Sequence, residues 1–267
     1  MHVASLGFRT DLGINRLSGA EISAREDYIV VRTPANPGYW WGNYVLLPRP
    51  LEPGRAERAR SVFVSEFPSA PHVAIGVDGT DGDPGDPQAV EELGVKVEVN
   101  TVLSAERVRR PARSNGGPGE KATFRPLTDD DDWAQAVELR MAVYPEPEAP
   151  DHPEFIAGQL AASRQICRSG AGAWFGAFVA GRLVAALGLV AVERGLARYQ
   201  SVETHPEHRR RGLASRLLYE SSRYGRKSLG AHTVVIVADP EDQAIRLYRA
   251  LGFSGTERQV QLQRPPA

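Results

Sequence analysis

The chain has 267 residues, of which 42% are hydrophobic, and this is sufficient for one large domain or two small ones with a buried core. Its formal net charge of -1 excludes a chain that is basic throughout, as many nucleic-acid-binding proteins are, and its single cysteine excludes an intramolecular disulfide and a cysteine-based zinc site. No apolar stretch approaches the length of a membrane span, and the N-terminus lacks the basic start and apolar core of a signal peptide, so we expect a cytoplasmic protein without membrane or nucleic-acid partners.

The N-terminal part of the chain contains short apolar runs separated by turn residues. These runs predict strands at 28–32, 44–47, 72–77 and 95–103 and helices at 56–67 and 88–93. The order of these elements imitates the order predicted below for the C-terminal part.

Two features of the N-terminal part suggest sites. The aromatic run that contains Trp40 and Trp41 lines an acceptor pocket in one interpretation and packs on the core in the other, which we favour because buried aromatic residues usually serve packing. The acidic run 78–86 resembles a calcium loop. However, Asp86 stands where such a loop requires glycine, and prolines interrupt the segment, so we predict a solvated loop and no metal site.

The composition changes most sharply at 107–119, where proline, glycine and basic residues replace the apolar periodicity. We therefore predict a linker at 111–121, an N-terminal domain at 1–110 and a C-terminal domain at 122–267. The segment 117–121 is not a phosphate-binding P-loop, because no glycine directly precedes Lys121 and no strand leads into it.

The C-terminal part begins with a predicted strand at 123–127, which is followed by four aspartates. Two helices are predicted next, the first carrying Trp133 and Leu139 and the second near 153–168. Cys167 lies in the second helix, and we interpret it as a small buried side chain rather than a nucleophile. Strands are then predicted at 173–179, 183–192 and 196–204, with a last short strand at 260–262.

The turn after the strand at 196–204 is rich in arginine and enters a helix at small residues. Gly212 and Ala214 carry too little side chain to cover the first free N–H groups of that helix. Those donors, the positive end of the helix dipole and the neighbouring arginines together favour an anion. The sequence therefore predicts a phosphorylated cofactor at this turn.

A second strand and helix follow the phosphate-binding turn. Residues 231–238 are almost wholly apolar, as is typical of a buried parallel strand. The pair Asp239 and Pro240 predicts the start of a helix that carries Tyr248 and ends at Gly252 in a left-handed cap.

The spacing Arg209-x-x-Gly212-x-Ala214, followed by the helix that carries Tyr248, resembles the GNAT superfamily of N-acetyltransferases. The resemblance implies an α/β (α+β mixed) GNAT fold, in which helices flank a central mixed, mostly antiparallel, twisted sheet. It also implies acetyl-CoA as cofactor. The similar element order of the N-terminal part then suggests a diverged, non-catalytic GNAT-like half. One departure is Glu241, because members often place an asparagine there to contact the pantetheine arm, and a carboxylate cannot donate that hydrogen bond.

Site residues follow from the resemblance. The backbone N–H groups of Val202 and Thr204 are expected to contact the acyl carbonyl, and the pyrophosphate is expected to lie against the loop and first turn, whose residues are Arg209, Arg210, Arg211, Gly212, Leu213 and Ala214. Tyr248 is the candidate general acid, and the alternative is that it only packs in the core.

Glu203 is the candidate general base, acting directly or through a water molecule. The alternative is an exposed strand residue that pairs with Arg198 or Arg209, and His205 is a reserve candidate for the base. Burial would have to raise the pKa of Glu203 for this role to be efficient near neutral pH.

The acceptor is expected to be a primary amine of a small molecule or peptide. The acidic loop 144–153 would form one wall of its site, and the protein would act as a monomer or homodimer. One function of a different class is open, an acyl-CoA-binding or sensing module without turnover. An arginine-rich RNA-binding module, whose affinity would collapse with salt, is disfavoured by the near-neutral net charge and by the helix that carries Tyr248.

Overall fold

The computed structural model describes residues 2–111, 121–145 and 152–266, and the chain forms two compact units. Unit 1 comprises Met1–Leu103, Val237–Ile245 and Gly255–Ala267, and unit 2 comprises Ser104–Ile236 and Arg246–Ser254. The domain prediction assigned 122–267 to one domain, whereas two segments of that range group with unit 1. Most of the predicted linker, 112–120, lies outside the described residues.

Unit 1 begins with a helix and a strand that the sequence pattern did not predict. Its elements up to the end of β5 are α1 Leu6–Leu17, β1 Glu21–Ala24, β2 Ile29–Arg32, a 3-10 turn Trp40–Gly42, β3 Tyr44–Leu47, α2 Ala56–Glu66, β4 Val73–Val77, α3 Pro87–Leu93 and β5 Lys96–Ala105. Helix α1 begins after Ser5, whose hydroxyl accepts a hydrogen bond from the N–H of Phe8. It was missed because Gly7 and Gly13 lower its helix propensity.

Unit 2 contains the elements predicted for the C-terminal part. They are β6 Ala122–Pro126, α4 Asp130–Val143, α5 His152–Arg168, β7 Gly172–Val179, β8 Arg182–Glu193, β9 Leu196–Thr204, a 3-10 turn Pro206–His208, α6 Leu213–Ser228, β10 Thr233–Ala238 and α7 Ala244–Ala250. The last residues of β10 and the first residues of α7 group with unit 1.

Helix α7 starts later than predicted. The carboxylate of Asp239 accepts a hydrogen bond from the N–H of Glu241, and that of Asp242 accepts one from the N–H of Ala244. These local turns hold the backbone out of the helix until Ala244. The predicted end is confirmed, because Gly252 adopts a left-handed conformation with φ of 95°.

The last strand, β11 Ser254–Arg264, is longer than the predicted strand at 260–262. It pairs antiparallel with β4 of unit 1, with Val260 opposite Val77 and Leu262 opposite Ile75. Both Val260 and Leu262 are buried. Because the ladder satisfies the backbone of β4, this segment groups with unit 1.

The two units share part of their succession of elements, namely three antiparallel strands, a helix, a parallel strand and a second helix. In unit 1, β1, β2 and β3 pair antiparallel, and β4 follows α2 and pairs parallel with β3. In unit 2, β6 to β9 pair antiparallel in order, and β10 follows α6 and pairs parallel with β9. This arrangement confirms the predicted fold class of mixed sheets flanked by helices in a two-half layout.

Each unit has its own apolar core. In unit 1, the ring of Phe8 of α1 lies over Gly76 of β4 beside Leu46 of β3, and the side chains of Phe8 and Leu46 are fully buried. In unit 2, Leu217 and Leu218 of α6 are fully buried on the helix face that packs against β8. Within the described residues, every helix is too short or too polar to cross a bilayer.

The aromatic run of unit 1 packs on the core, as favoured from sequence. Trp40 stacks on His72, Trp41 lies against Tyr44, and the indole N–H of Trp41 donates to the side chain of Gln263.

The acidic run forms turns and caps. Asp78 is buried and accepts hydrogen bonds from the N–H groups of Ala4 and Ser5, and Asp86 caps α3. The prediction of a solvated loop is therefore wrong for Asp78.

Candidate active site

A β-bulge interrupts the pairing of β9 with β8. Glu203 pairs with Ala186 and Gln200 pairs with Gly188, so two residues of β9, Ser201 and Val202, stand opposite one residue of β8. Ser201 adopts a positive φ of 50°, which is uncommon outside glycine. The bulge bends the end of β9 out of its regular ladder.

One edge of β9 is left open beyond the bulge. Pairing with β10 runs from Leu196 with Thr233 to Arg198 with Val235, and the described part of the two strands shows no later pair. On the opposite edge, the N–H of His205 donates to the carbonyl of Val184 on β8. Because strand N–H groups alternate in direction, those of Val202 and Thr204 point to the open edge.

The loop after β9 enters α6 through a left-handed glycine. Gly212 has φ of 78° and ψ of 8°, and no side chain of the described residues caps the helix at this position. The first helical hydrogen bond joins the N–H of Arg216 to the carbonyl of Gly212. The N–H groups of the three preceding residues, Leu213, Ala214 and Ser215, therefore have no acceptor within the helix, and this end of α6 is suited to an anion.

The three arginines of the loop differ in their contacts. Arg209 Nε donates to the carbonyl of Thr204 at 3.2 Å, and Arg211 Nη2 donates to that of Glu207 at 3.0 Å. Arg210 is exposed and has a positive φ of 62°. Arg209 and Arg211 thus stabilise the loop through hydrogen bonds to backbone carbonyl groups, and Arg210 adds an exposed positive charge.

Glu203 is buried and ion-paired. Its side chain is 5% exposed, and Oε1 lies 2.8 Å from Nε of Arg140, which α4 contributes. Arg140 Nη1 also donates to Oε1 of Gln159 on α5 at 3.2 Å. Burial raises the pKa of Glu203 above its ordinary value, and the charge and hydrogen bond of Arg140 oppose that rise.

The alternative interpretation of Glu203 as an exposed residue paired with Arg198 or Arg209 is wrong, because its partner is Arg140. Sequence reasoning missed Arg140. The signal was its position seven residues after Trp133, on the apolar stripe of α4.

Tyr248 is 5% exposed, and its ring meets that of Phe253 edge to face at 6.1 Å. The ring of Tyr248 thus packs in the core, and the role of its hydroxyl as general acid stays a prediction. His205 caps the turn after β9, because its Nδ1 accepts a hydrogen bond from the N–H of Glu207 at 3.4 Å.

Three further features that the sequence singled out are an acidic loop, Glu241 and Cys167. Most of the acidic loop that was predicted to flank the acceptor, 146–151, is outside the described residues, and Tyr144 at its start is exposed. Glu241 is exposed. Burial raises the pKa of the Cys167 thiol to about 11, which keeps it protonated at neutral pH. The described residues contain no cluster of His, Cys, Asp and Glu suited to a metal ion.

Residues 133–253 match the model of the Acetyltransferase (GNAT) family. No curated protein matches the sequence. The family match covers the part of the chain that holds Arg140, β9, the loop from β9 to α6 and Tyr248.

Several solved structures share the fold over nearly the whole chain. A functionally unknown conserved protein from Staphylococcus epidermidis ATCC 12228 is 12% identical with a TM-score of 0.71, and covers 93% of this chain and 95% of its own. A GCN5-related N-acetyltransferase from Kribbella flavida is 16% identical with a TM-score of 0.68, and covers 98% of both chains. A tandem GNAT protein from the clavulanic acid biosynthesis pathway is 16% identical with a TM-score of 0.53, and covers 95% of this chain and 88% of its own.

Proposed function

We propose that this protein, whose residues 133–253 form an acetyltransferase domain of the GNAT family, transfers an acetyl group from acetyl-CoA to a primary amine of a small molecule or peptide. The family and the fold carry the coarser part of this statement, acyl-CoA-dependent acetyl transfer. The amine acceptor and the residue roles are the proposal.

One observation carries the proposal. The uncapped first turn of α6 directly follows the strand whose N–H groups at Val202 and Thr204 face an open edge. Free N–H groups at a helix start suit a diphosphate, and an open strand edge suits the amide-bearing arm of coenzyme A, which can pair with it as a strand would. The residues present therefore fit this cofactor.

When bound, acetyl-CoA supplies an acetyl group activated as a thioester. The N–H groups of Val202 and Thr204 would donate to the acyl oxygen and stabilise the negative charge that develops there. Glu203 would accept the proton that the amine loses, directly or through water. Tyr248 would donate a proton or hydrogen bond to the departing sulfur.

The environment of Glu203 supports its role as base. A carboxylate with an ordinary pKa is a weak base for an amine at neutral pH, and burial raises the pKa of Glu203. Arg140 keeps the carboxylate ionised and fixes its orientation through the 2.8 Å contact. The pair thus combines a raised pKa with a defined geometry.

Calorimetry with acetyl-CoA, followed by thiol detection with a panel of amines, tests the proposal. Heat on titration and thiol release with at least one amine support it. Binding without thiol release across the panel supports an acyl-CoA-binding module instead. The absence of any heat with acetyl-CoA contradicts both.

A further inference from the structure

A second basic region lies in unit 2, away from the start of α6. A cavity of about 530 Å³ is bounded by the outer face of α6, the start of β10 and the segment 106–110. Tyr219, Ser222, Arg223 and Arg226 line it from α6 at helical spacing, so they share one face of the helix. The volume is in the range of pockets that hold small ligands.

The charge of this cavity is strongly positive. Within the described part of the chain, its lining includes one carboxylate, Glu106, and five arginines, which are Arg107, Arg109, Arg110, Arg223 and Arg226. The structure places Arg223 at 3.3 Å from Glu220, whereas the described residues provide no ion-pair partner for the three arginines of the segment 106–110. Arg226 also donates to the backbone carbonyl of Glu106. Arginines that line one cavity in excess of the carboxylates near them attract anions.

The cavity also has an apolar floor and an aromatic wall. Val108, Ala231 and Val234 are buried beneath it. The guanidinium of Arg223 lies 6.0 Å from the ring centre of Tyr219. Apolar surface next to arginines suits a ligand that carries both a flat or apolar part and several negative charges.

The cavity is separate from the proposed cofactor loop. Arg223 follows Leu213 by three turns of α6, a separation of roughly 15 Å along the helix axis. A neighbouring cavity of about 550 Å³ shares Arg223 and Arg226 and adds Lys227, together with Glu220, which pairs with Arg216 and Arg223. Cations outnumber this carboxylate, so the positive surface extends along the C-terminal half of α6.

We propose that this cavity is a second binding site, which takes a small ligand with two or more phosphate groups. Arginine forks match the geometry of phosphate oxygens, and several of them around one cavity favour a multiply charged ligand over a single carboxylate. The proposal is independent of the acetyl-transfer function and does not need acetyl-CoA to bind.

Calorimetric titration of the full chain with ATP and with inorganic tripolyphosphate tests the site. Replacing Arg110 and Arg223 with alanine removes two exposed charges from the lining, and we expect binding to weaken at least about tenfold. The matched control is the double variant R182A/R194A, which removes two exposed arginines of unit 2 elsewhere and should bind as the wild type does. The measured affinity should also fall as salt is raised.

The two probes distinguish the source of the phosphate groups. Tighter binding of ATP identifies a nucleotide that uses the wall at Tyr219, and equal binding identifies a polyphosphate chain; both results support the site. No binding of either probe, or equal losses in R110A/R223A and R182A/R194A, overturns it. Affinity for single-stranded oligonucleotides that exceeds both probes and grows with length also overturns it, in favour of a nucleic-acid surface.

Discussion

At the scale of single residues, the proposed proton transfer depends on two buried side chains, Glu203 and Arg140. A buried carboxylate without a partner would be protonated and could not accept a proton, whereas a fully exposed one would have too low a pKa. The ion pair at 2.8 Å lies between these limits. Arg140 is therefore a positioning residue whose charge also sets the pKa of Glu203.

The pH dependence of kcat/KM tests this pair. Glu203 must be ionised to act, so kcat/KM should fall as the pH is lowered through a pKa that burial raises above 4.5. Arg140 lowers that pKa, so Arg140→Gln should move this limb of the profile to higher pH. Glu203→Gln should lower kcat about a hundredfold or more. Arg164→Gln, at a partly exposed arginine of α5, is the control. An unmoved limb in Arg140→Gln contradicts the role of the pair.

Tyr248 supports a separate test, because its hydroxyl is the part that the acid role requires. Tyr248→Phe keeps the ring contact with Phe253 and removes the donor. We expect kcat to fall by about a hundredfold while coenzyme A affinity stays nearly unchanged. Tyr224→Phe, at a tyrosine whose ring packs on Phe175, is the matched control in steady-state kinetics. Full turnover in Tyr248→Phe would leave the residue with a packing role only.

Sequence alone identified Glu203 and Tyr248 as candidates but could not find the partner of Glu203. Arg140 is 63 residues away in the chain, and only the packing of α4 against β9 brings the two together. The useful local signal was an arginine on an apolar helix stripe, which implies a buried partner without saying which.

At the scale of elements, the loop between β9 and α6 depends on backbone conformation as much as on charge. Gly212 is left-handed, so its amide and those of the next turn meet at the mouth of the helix. The spacing of Gly212 and Ala214 was sufficient to predict this loop. The late start of α7 was not predicted, because the local turns at Asp239 and Asp242 compete with the helix.

Gly212→Val tests the loop against a matched glycine. A β-branched residue at positive φ costs about 1–2 kcal/mol of stability wherever it is placed. Gly230, with φ of 64° and nothing within 4 Å of an added Cβ, carries the same backbone cost away from the loop. We expect both variants to lose similar stability in urea unfolding, and only Gly212→Val to lose coenzyme A affinity in calorimetry. Equal affinities in the two variants would exclude the loop as the phosphate site.

The junction of β6 and α4 is held by Asp132. Its carboxylate accepts hydrogen bonds from both terminal nitrogens of Arg125 and from the N–H of Thr128, and these donors lower its pKa to about 2. Because the pKa in the folded state is depressed, this stabilisation is present above the ordinary value near 4 and is lost as the pH falls toward 2.

Asp132→Asn should therefore lose about 1–2 kcal/mol at pH 7, since Arg125 is partly exposed, and much less at pH 2. Urea unfolding of the variant and the wild type at both pH values measures this difference. Asp131→Asn, at an exposed residue of the same helix turn, is the control. A loss of stability that is the same at both pH values would contradict the assignment to the carboxylate charge.

At the scale of the whole molecule, the path of the chain differs from a simple series of two domains. The order of strands and helices in each half was largely predictable, because apolar periodicity reports local structure. The pairing of β11 with β4 of unit 1 was not predictable, because a short apolar run does not reveal which sheet it joins. Its alternation of Val260 and Leu262 indicates one buried face, and the partner β4 lies far away in sequence.

A fragment of residues 122–267 tests this organisation. In the full chain, Val260 and Leu262 are buried in unit 1, and the backbone of β11 pairs with β4. Without residues 1–121, both neighbours of that strand, β4 and β5, are missing, so it has two unpaired edges and an exposed apolar face, which favours association. We expect the fragment to aggregate or oligomerise, which light scattering measures.

A substitution in the full chain tests the same strand. We expect Leu262→Asp to lower the free energy of unfolding by about 3–5 kcal/mol in urea. The variant Gln261→Asp, at a partly exposed position of the same strand, should lose far less. A monomeric fragment that folds cooperatively would show that the C-terminal part of the chain does not need the pairing of β11 with β4. The two predicted contiguous domains would then describe the folding units better than the grouping of β11 with unit 1 does.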